Sequence, residues 1–133
     1  EAGAGRSAVQ QAVNDTELCR DPASAATVLD QMADQRAGLA DRARRLDPTA
    51  VAEGAAVSNL LAEAWQASAD ADRAFAEWAR AAVGCTGPPG HDAAYQRGLD
   101  HSVTATSRKT SFTELWNPLA ARFGLASRTH TQL

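Results

Sequence analysis

Apolar residues recur along this chain in steps of three and four, and nowhere in the period of two that a strand requires. From Pro22 to Leu46 the apolar stripe is Ala25, Val28, Met32, Leu39, Ala43 and Leu46, with Arg36 as the one charged exception. From Pro48 to Val83 it is Leu61, Trp65, Phe75 and Ala79, and a stretch beginning at Asp92 carries two sets. The first of these is Tyr95, Leu99 and Val103, the second Phe112, Trp116, Leu119 and Phe123. At about 100° per residue the two sets point a quarter- to a third-turn apart. The polar stretch 104–111 is therefore expected to bend, wrap or lose helical regularity.

Punctuation sets the boundaries. Asp21-Pro22, Asp47-Pro48 and Asn117-Pro118 share one grammar. The side-chain oxygen accepts from free N–H groups of a first helical turn, and proline fits the first position because its missing N–H is not needed there. Asp92 is a suitable cap without a proline. Gly124 reads as a helix stop, and "GCTGPPG" over 84–90 as a true loop. The helices expected are 6–19, 22–46, 48–83 and 92–116, followed by a short one over 118–123. A single kinked helix running through Pro118 is the alternative to that last break. Short connections favour antiparallel neighbours, so the fold is an all-α, up-down-up-down antiparallel four-helix bundle. Residues 1–126 form one domain, with 127–133 as a flexible C-terminal tail.

Composition agrees with helices. The chain has 133 residues, 31 of them alanine and only 7 aromatic, and alanine has the highest helix propensity. Hydrophobic residues make up 44%, which argues against general disorder. The net charge of −3 is uneven. Residues 1–103 hold 9 Arg against 15 Asp and Glu, leaving −6, and residues 104–133 hold Arg108, Lys109, Arg122 and Arg128 against Glu114, leaving +3. A basic stripe with interleaved aromatics is missing, so nucleic acid is not an expected partner. No apolar run reaches the roughly 18 residues of a membrane span. The chain opens "EAGAGRSAVQ" without a signal-peptide pattern, so a signal peptide or a membrane anchor is expected upstream.

In the up-down-up-down topology the first and third helices run the same way. Cys19 ends the first and Cys85 lies just past the third, so both cysteines fall at one end of the bundle. A disulfide between them is the expected state, two free thiols the alternative. Persistent disulfides belong to oxidising compartments, which points to an extracytoplasmic location. Both chain ends then emerge opposite the disulfide, where an upstream anchor would hold them toward a membrane.

The sequence offers little catalytic chemistry. "GCTGPPG" lacks the Gly-Lys-Ser/Thr ending of a phosphate loop, and no Cys-x-x-Cys, Glu-x-x-His pair or Gly-x-Ser-x-Gly elbow occurs. No enzymatic role, cofactor or metal site is expected. If the third and fourth helices are antiparallel, Asp72 meets Thr104–Thr106 and Ser68 meets Arg108 or Lys109. The bundle centre then holds a polar layer of Ser68, Asp72, Thr106 and Lys109, bordered by Trp65 and Phe112. Buried charge is costly unless paired, so this layer is either a satisfied ion pair or a small-ligand pocket.

The stretches "ADADRAFAEWARAAVGC" and "SRKTSFTELWNPLAARFGL" resemble segments of uncharacterised actinobacterial secreted or membrane-anchored helical proteins. The residues that carry the resemblance are Trp78, Cys85, Lys109, Phe112, Trp116, Asn117 and Pro118. It covers roughly residues 70–125 and implies fold and location but no site residue. The function expected is a non-enzymatic extracytoplasmic domain for ligand sensing or protein interaction. A secreted small-molecule binder using the polar layer is the alternative, and homodimerisation through alanine-rich faces a further one. An exposed Trp78 would mark a partner surface.

Overall fold

The structure is a computed structural model and describes residues 2–50 and 53–133. It consists of α1 (Ala2–Glu17), α2 (Pro22–Arg44), α3 (Gly54–Ala81), α4 (Ala93–Arg122) and a 3-10 turn (His130–Gln132). No strand occurs among the described residues. Successive helices are antiparallel. Asp30 meets Arg80, and Arg36 meets Asp72 across α2 and α3, while Glu77 meets Arg97 and Glu63 meets Arg108 across α3 and α4. The broad interfaces are α2 with α3 and α3 with α4. α1 rests mainly on α2, and α4 backs onto α3 and the 3-10 turn.

Of the three proline-bearing start signals, Asp21-Pro22 alone opens a helix. Asp21 caps α2 by accepting from Ser24 N at 3.2 Å, and Pro22 is buried at the first turn. Asp92 caps α4 through Tyr95 N at 2.9 Å, as expected. Asp47-Pro48 does not start α3. The Asp47 carboxylate is taken by Thr49, accepting from its N–H at 2.9 Å and its hydroxyl at 2.6 Å, which closes a local turn instead. Val51 and Ala52, expected within the third helix, lie outside the described residues. α3 begins at Gly54, where a Cβ would stand 2.5 Å from the Pro48 carbonyl oxygen, so a glycine lets the loop approach the helix start.

The expected break at Asn117-Pro118 is absent: α4 runs through Pro118 to Arg122 as one continuous helix. It ends at Gly124 in the left-handed region, with Leu125 N donating back to Ala120 O at 2.7 Å, the stop read from the sequence. Asn117 serves the tail rather than a helix start. Its side-chain N–H donates to Arg128 O at 2.9 Å and its oxygen accepts from Arg128 N at 2.8 Å. Trp116 Nε1 donates to Ala126 O at 3.1 Å. Residues 127–133, read from the sequence as a tail outside the bundle, fold back onto it and bring the 3-10 turn against α1 and α4.

α4 also keeps its regularity through 104–111. Its inward line in the first half is Ala94, Gly98 and Ala105, which continues in register to Lys109, Phe112 and Leu119. Leu99, Val103 and Phe123, expected inside, are exposed, as is Leu46 at the end of α2. The reason is close approach. A Cβ on Gly98 would meet the Phe75 ring at 2.6 Å, so the seam between α3 and α4 admits only small residues opposite that ring.

The core has two parts. Near the disulfide, Leu29, Phe75, Trp78 and a bed of alanines from α1, α2, α3 and α4 pack together. Trp78 is only 1% exposed and its Nε1 donates to Gly90 O at 2.9 Å, so it is core and no partner surface. Toward the other end, Val57, Phe112 and Leu119 gather Leu60, Leu61, Leu115, Trp116 and Leu133. The Cys19–Cys85 disulfide is formed, with Cα atoms 6.0 Å apart and its residues separated by 66 positions in sequence. It ties α1, otherwise held mainly by α2, to the end of α3. A disulfide of this kind indicates an oxidising setting.

Candidate functional site

The site is built on α2, α3 and α4 at mid-height. Alanines on α3 (Ala64, Ala67, Ala69, Ala71) let neighbouring helices come close and leave room only where longer side chains interrupt them. Asp72 projects into that interior and is 1% exposed. Its partner is Arg36 Nη1, from the one charged position in the α2 stripe, whose side chain is 15% exposed. Burial raises the Asp72 carboxyl from 3.8 to about 6, and the nearby Arg36 opposes that shift without cancelling it.

Lys109, from α4, is 7% exposed. Its ammonium lies 5.1 Å over the Trp65 ring, a cation–π arrangement, and donates to Leu133 O at 3.2 Å. Burial lowers its amine from 10.5 to about 8, the positive charges of Arg36 and Arg6 push the same way, and Asp72 pulls back. Two largely buried cations thus share one buried anion. Ser68, one turn before Asp72 on α3, is 3% exposed, and its hydroxyl is the one buried side-chain polar atom without a hydrogen-bond partner among the described residues.

Of the four residues expected to form the layer and the two expected to border it, Ser68, Asp72 and Lys109 are buried in the interior, and Trp65 stands half-buried beside them. Phe112 belongs to the apolar cluster toward the open end, stacked on Trp116 with centroids 6.1 Å apart. Thr106 is not in the layer. It is exposed on the far side of α4, its carbonyl accepting from Thr110. The α3–α4 register differs from the expected one by a few residues, so Lys109 stands opposite Trp65 and Asp72 pairs on α2 instead of α4. The residue missed was Arg36, although its signal was present as a lone charge in an apolar stripe.

Beside this cluster lies a groove of about 690 Å³ between the first turns of α1, α2, Trp65 and Leu133. Its walls include Ala8, Met32, Leu39 and Trp65, and its charged groups are Arg36 and Arg42. That size falls within the roughly 300–1,000 Å³ of pockets that take drug-sized molecules. A second, shallower cleft of about 440 Å³ crosses the outer face where Arg80 pairs with Asp30 and Arg97 with Glu77. Its charges are already matched, as on an ordinary solvated face.

Among the described residues no group of three or more side chains could hold a metal ion, and no helix is long and apolar enough to cross a membrane. Comparison with known families, curated proteins and solved structures finds no match to this chain.

Proposed function

We propose that this chain is a non-enzymatic, extracytoplasmic helical-bundle domain that senses a small molecule bound in the groove between α1, α2 and the folded-back C-terminal segment. The observation that carries this reading is the groove itself, a drug-sized apolar opening with Arg36 on its wall beside the buried Asp72 and Lys109. Near the disulfide, by contrast, Leu29, aromatic rings and alanines from four helices fill the space between the helices. The extracytoplasmic placement is supported by the Cys19–Cys85 bond and by the resemblance to exported actinobacterial proteins. On this reading the chain is either secreted or held at a membrane by an anchor upstream, and in the released form the same groove makes it a carrier.

A thermal-shift screen of chemically diverse metabolites tests the proposal. A true ligand raises the midpoint with concentration in the wild type, because binding to the native state alone stabilises it. The same ligand loses its effect in Ala8→Phe, which fills the groove from its α1 wall. Ligands that stabilise both proteins equally would place the site elsewhere. A second reading, homodimerisation, draws on Leu99 and Val103, exposed at 39% and 71% one turn apart on α4. Sedimentation of the wild type against Val103→Asp tests it, a lighter species in the variant being the expected sign.

A further inference from the structure

We infer that the groove is a seat for a single-chain anionic amphiphile, a carboxylate with an extended apolar body. The inference rests on the ligand-binding reading and adds the chemical class of the ligand.

Charge carries the argument. The chain as a whole is net negative, yet no acidic side chain lines the groove, whereas Arg36 and Arg42 do. Asp72, the nearby acid, is engaged with Arg36 through a single nitrogen, Nη1. The other Arg36 nitrogens make no hydrogen bond among the described residues, and that side chain lines the opening. Arg42, also on the groove wall, makes no ion pair among the described residues. A guanidinium presents its donors in a planar fork that matches a carboxylate, so the unused edge of Arg36 is a ready half-site. Lys109 lies within electrostatic reach of both Arg36 and Arg6, and the cluster stays cationic after Asp72 is counted.

The remainder of the wall is apolar. Met32 and Leu39 lie on the face of α2 that also presents Arg36, seven residues and so about 10 Å apart along the helix axis. Trp65 and Leu133 close the groove from the other sides. A small polar anion would leave these walls wet, and a neutral hydrocarbon would leave the guanidinium edges without an acceptor. An anion with an apolar body satisfies both.

Isothermal titration of the whole chain with decanoate, decanol and decyltrimethylammonium, each below its micellar concentration, tests this. Decanoate is expected to bind about tenfold tighter than decanol, the value of one charge-assisted hydrogen bond, with the cationic amphiphile weakest. Arg36→Gln and Arg42→Gln are each expected to narrow the preference for decanoate over decanol to about threefold or less, and Ala8→Phe to weaken both. Equal affinity for decanoate and decanol would overturn the anion seat and leave the ligand-binding reading standing. Silence toward all three amphiphiles, together with an empty metabolite screen, would overturn both. Sedimentation with phosphatidylglycerol vesicles without any response to free decanoate would make the anionic partner a membrane surface and overturn the inference.

Discussion

At the disulfide end Trp78 and Tyr95 meet edge to face with centroids 4.8 Å apart, Phe75 sets its ring against Tyr95 at 5.6 Å, and alanines from four helices fill the rest. At the opposite end Phe112 and Trp116 stack nearly parallel among leucines, and a lysine sits over Trp65. The first region is closed by a covalent bond and by Glu17 Oε1, which takes contacts from His91 at 3.1 Å and from the Tyr95 hydroxyl at 3.3 Å. The second is closed by a folded-back segment held on Asn117, Trp116 and Lys109. One end sets aromatic rings in a bed of alanines and is stapled; the other is leucine-rich, carries a buried lysine and opens to a groove. Stability is thus concentrated where nothing need bind, and adaptability where a ligand could enter.

The largest expected effect comes from removing the staple. Cys19→Ser with Cys85→Ser should lower stability by about 4 kcal/mol in the loop-closure account, read from urea midpoints. Amides of α1 should lose exchange protection first, since α1 otherwise leans mainly on α2. Uniform loss of protection across all four helices would erase the contrast between the ends.

Next is the buried acid. Asp72 holds its proton up to about pH 6 in the folded chain, against 3.8 when unfolded. Between those values the folded state binds a proton that the unfolded state has shed, so stability falls as pH rises across the window and is level above it. The amplitude is about 3 kcal/mol. Lys109 works the other way: it releases its proton near pH 8 folded and 10.5 unfolded, so its contribution rises over that range. Subtracting the Asp72→Asn curve from the wild-type curve should leave the slope between about pH 4 and pH 6, and a flat difference would show the acid to be solvated.

Glycines sharpen the comparison at smaller scale. Gly98→Ala places a methyl group into the Phe75 ring, and overpacking should outweigh the gain in helix propensity, for a net loss of about 1–2 kcal/mol. Phe75→Leu in the same chain should recover part of that loss, since the two positions touch. Gly38 lies in the middle of α2 beside Leu39, and a methyl group there would meet nothing within 4 Å. Gly38→Ala should therefore raise stability by about 0.5–1 kcal/mol in thermal melts.

The same contrast governs what could be read from the residues alone. The disulfide was legible because Asp21-Pro22 and the 84–90 loop set the helix directions, and parallel first and third helices bring Cys19 to Cys85. Ser68 and Asp72 were legible as interior polar positions by their helical spacing, and Lys109 only through an assumed α3–α4 register that differs from the observed one by a few residues. The seam of Ala94, Gly98 and Ala105 was not, because small residues carry no apolar signal, and Leu99 and Val103 drew attention to the wrong face. Asp47-Pro48 misled because Thr49 competes for the carboxylate. Asn117-Pro118 misled because its partner, Arg128, lies in a segment with no periodicity to announce it.

Lys109 is the chain's single lysine, and it sits under the folded-back segment with its amine less basic than usual. An acylating reagent therefore has one side-chain amine to find, and it reaches that amine only when the open end breathes. The rate of acylation, followed by mass, becomes a clock for that motion, and a guest lodged beside Trp65 would slow it.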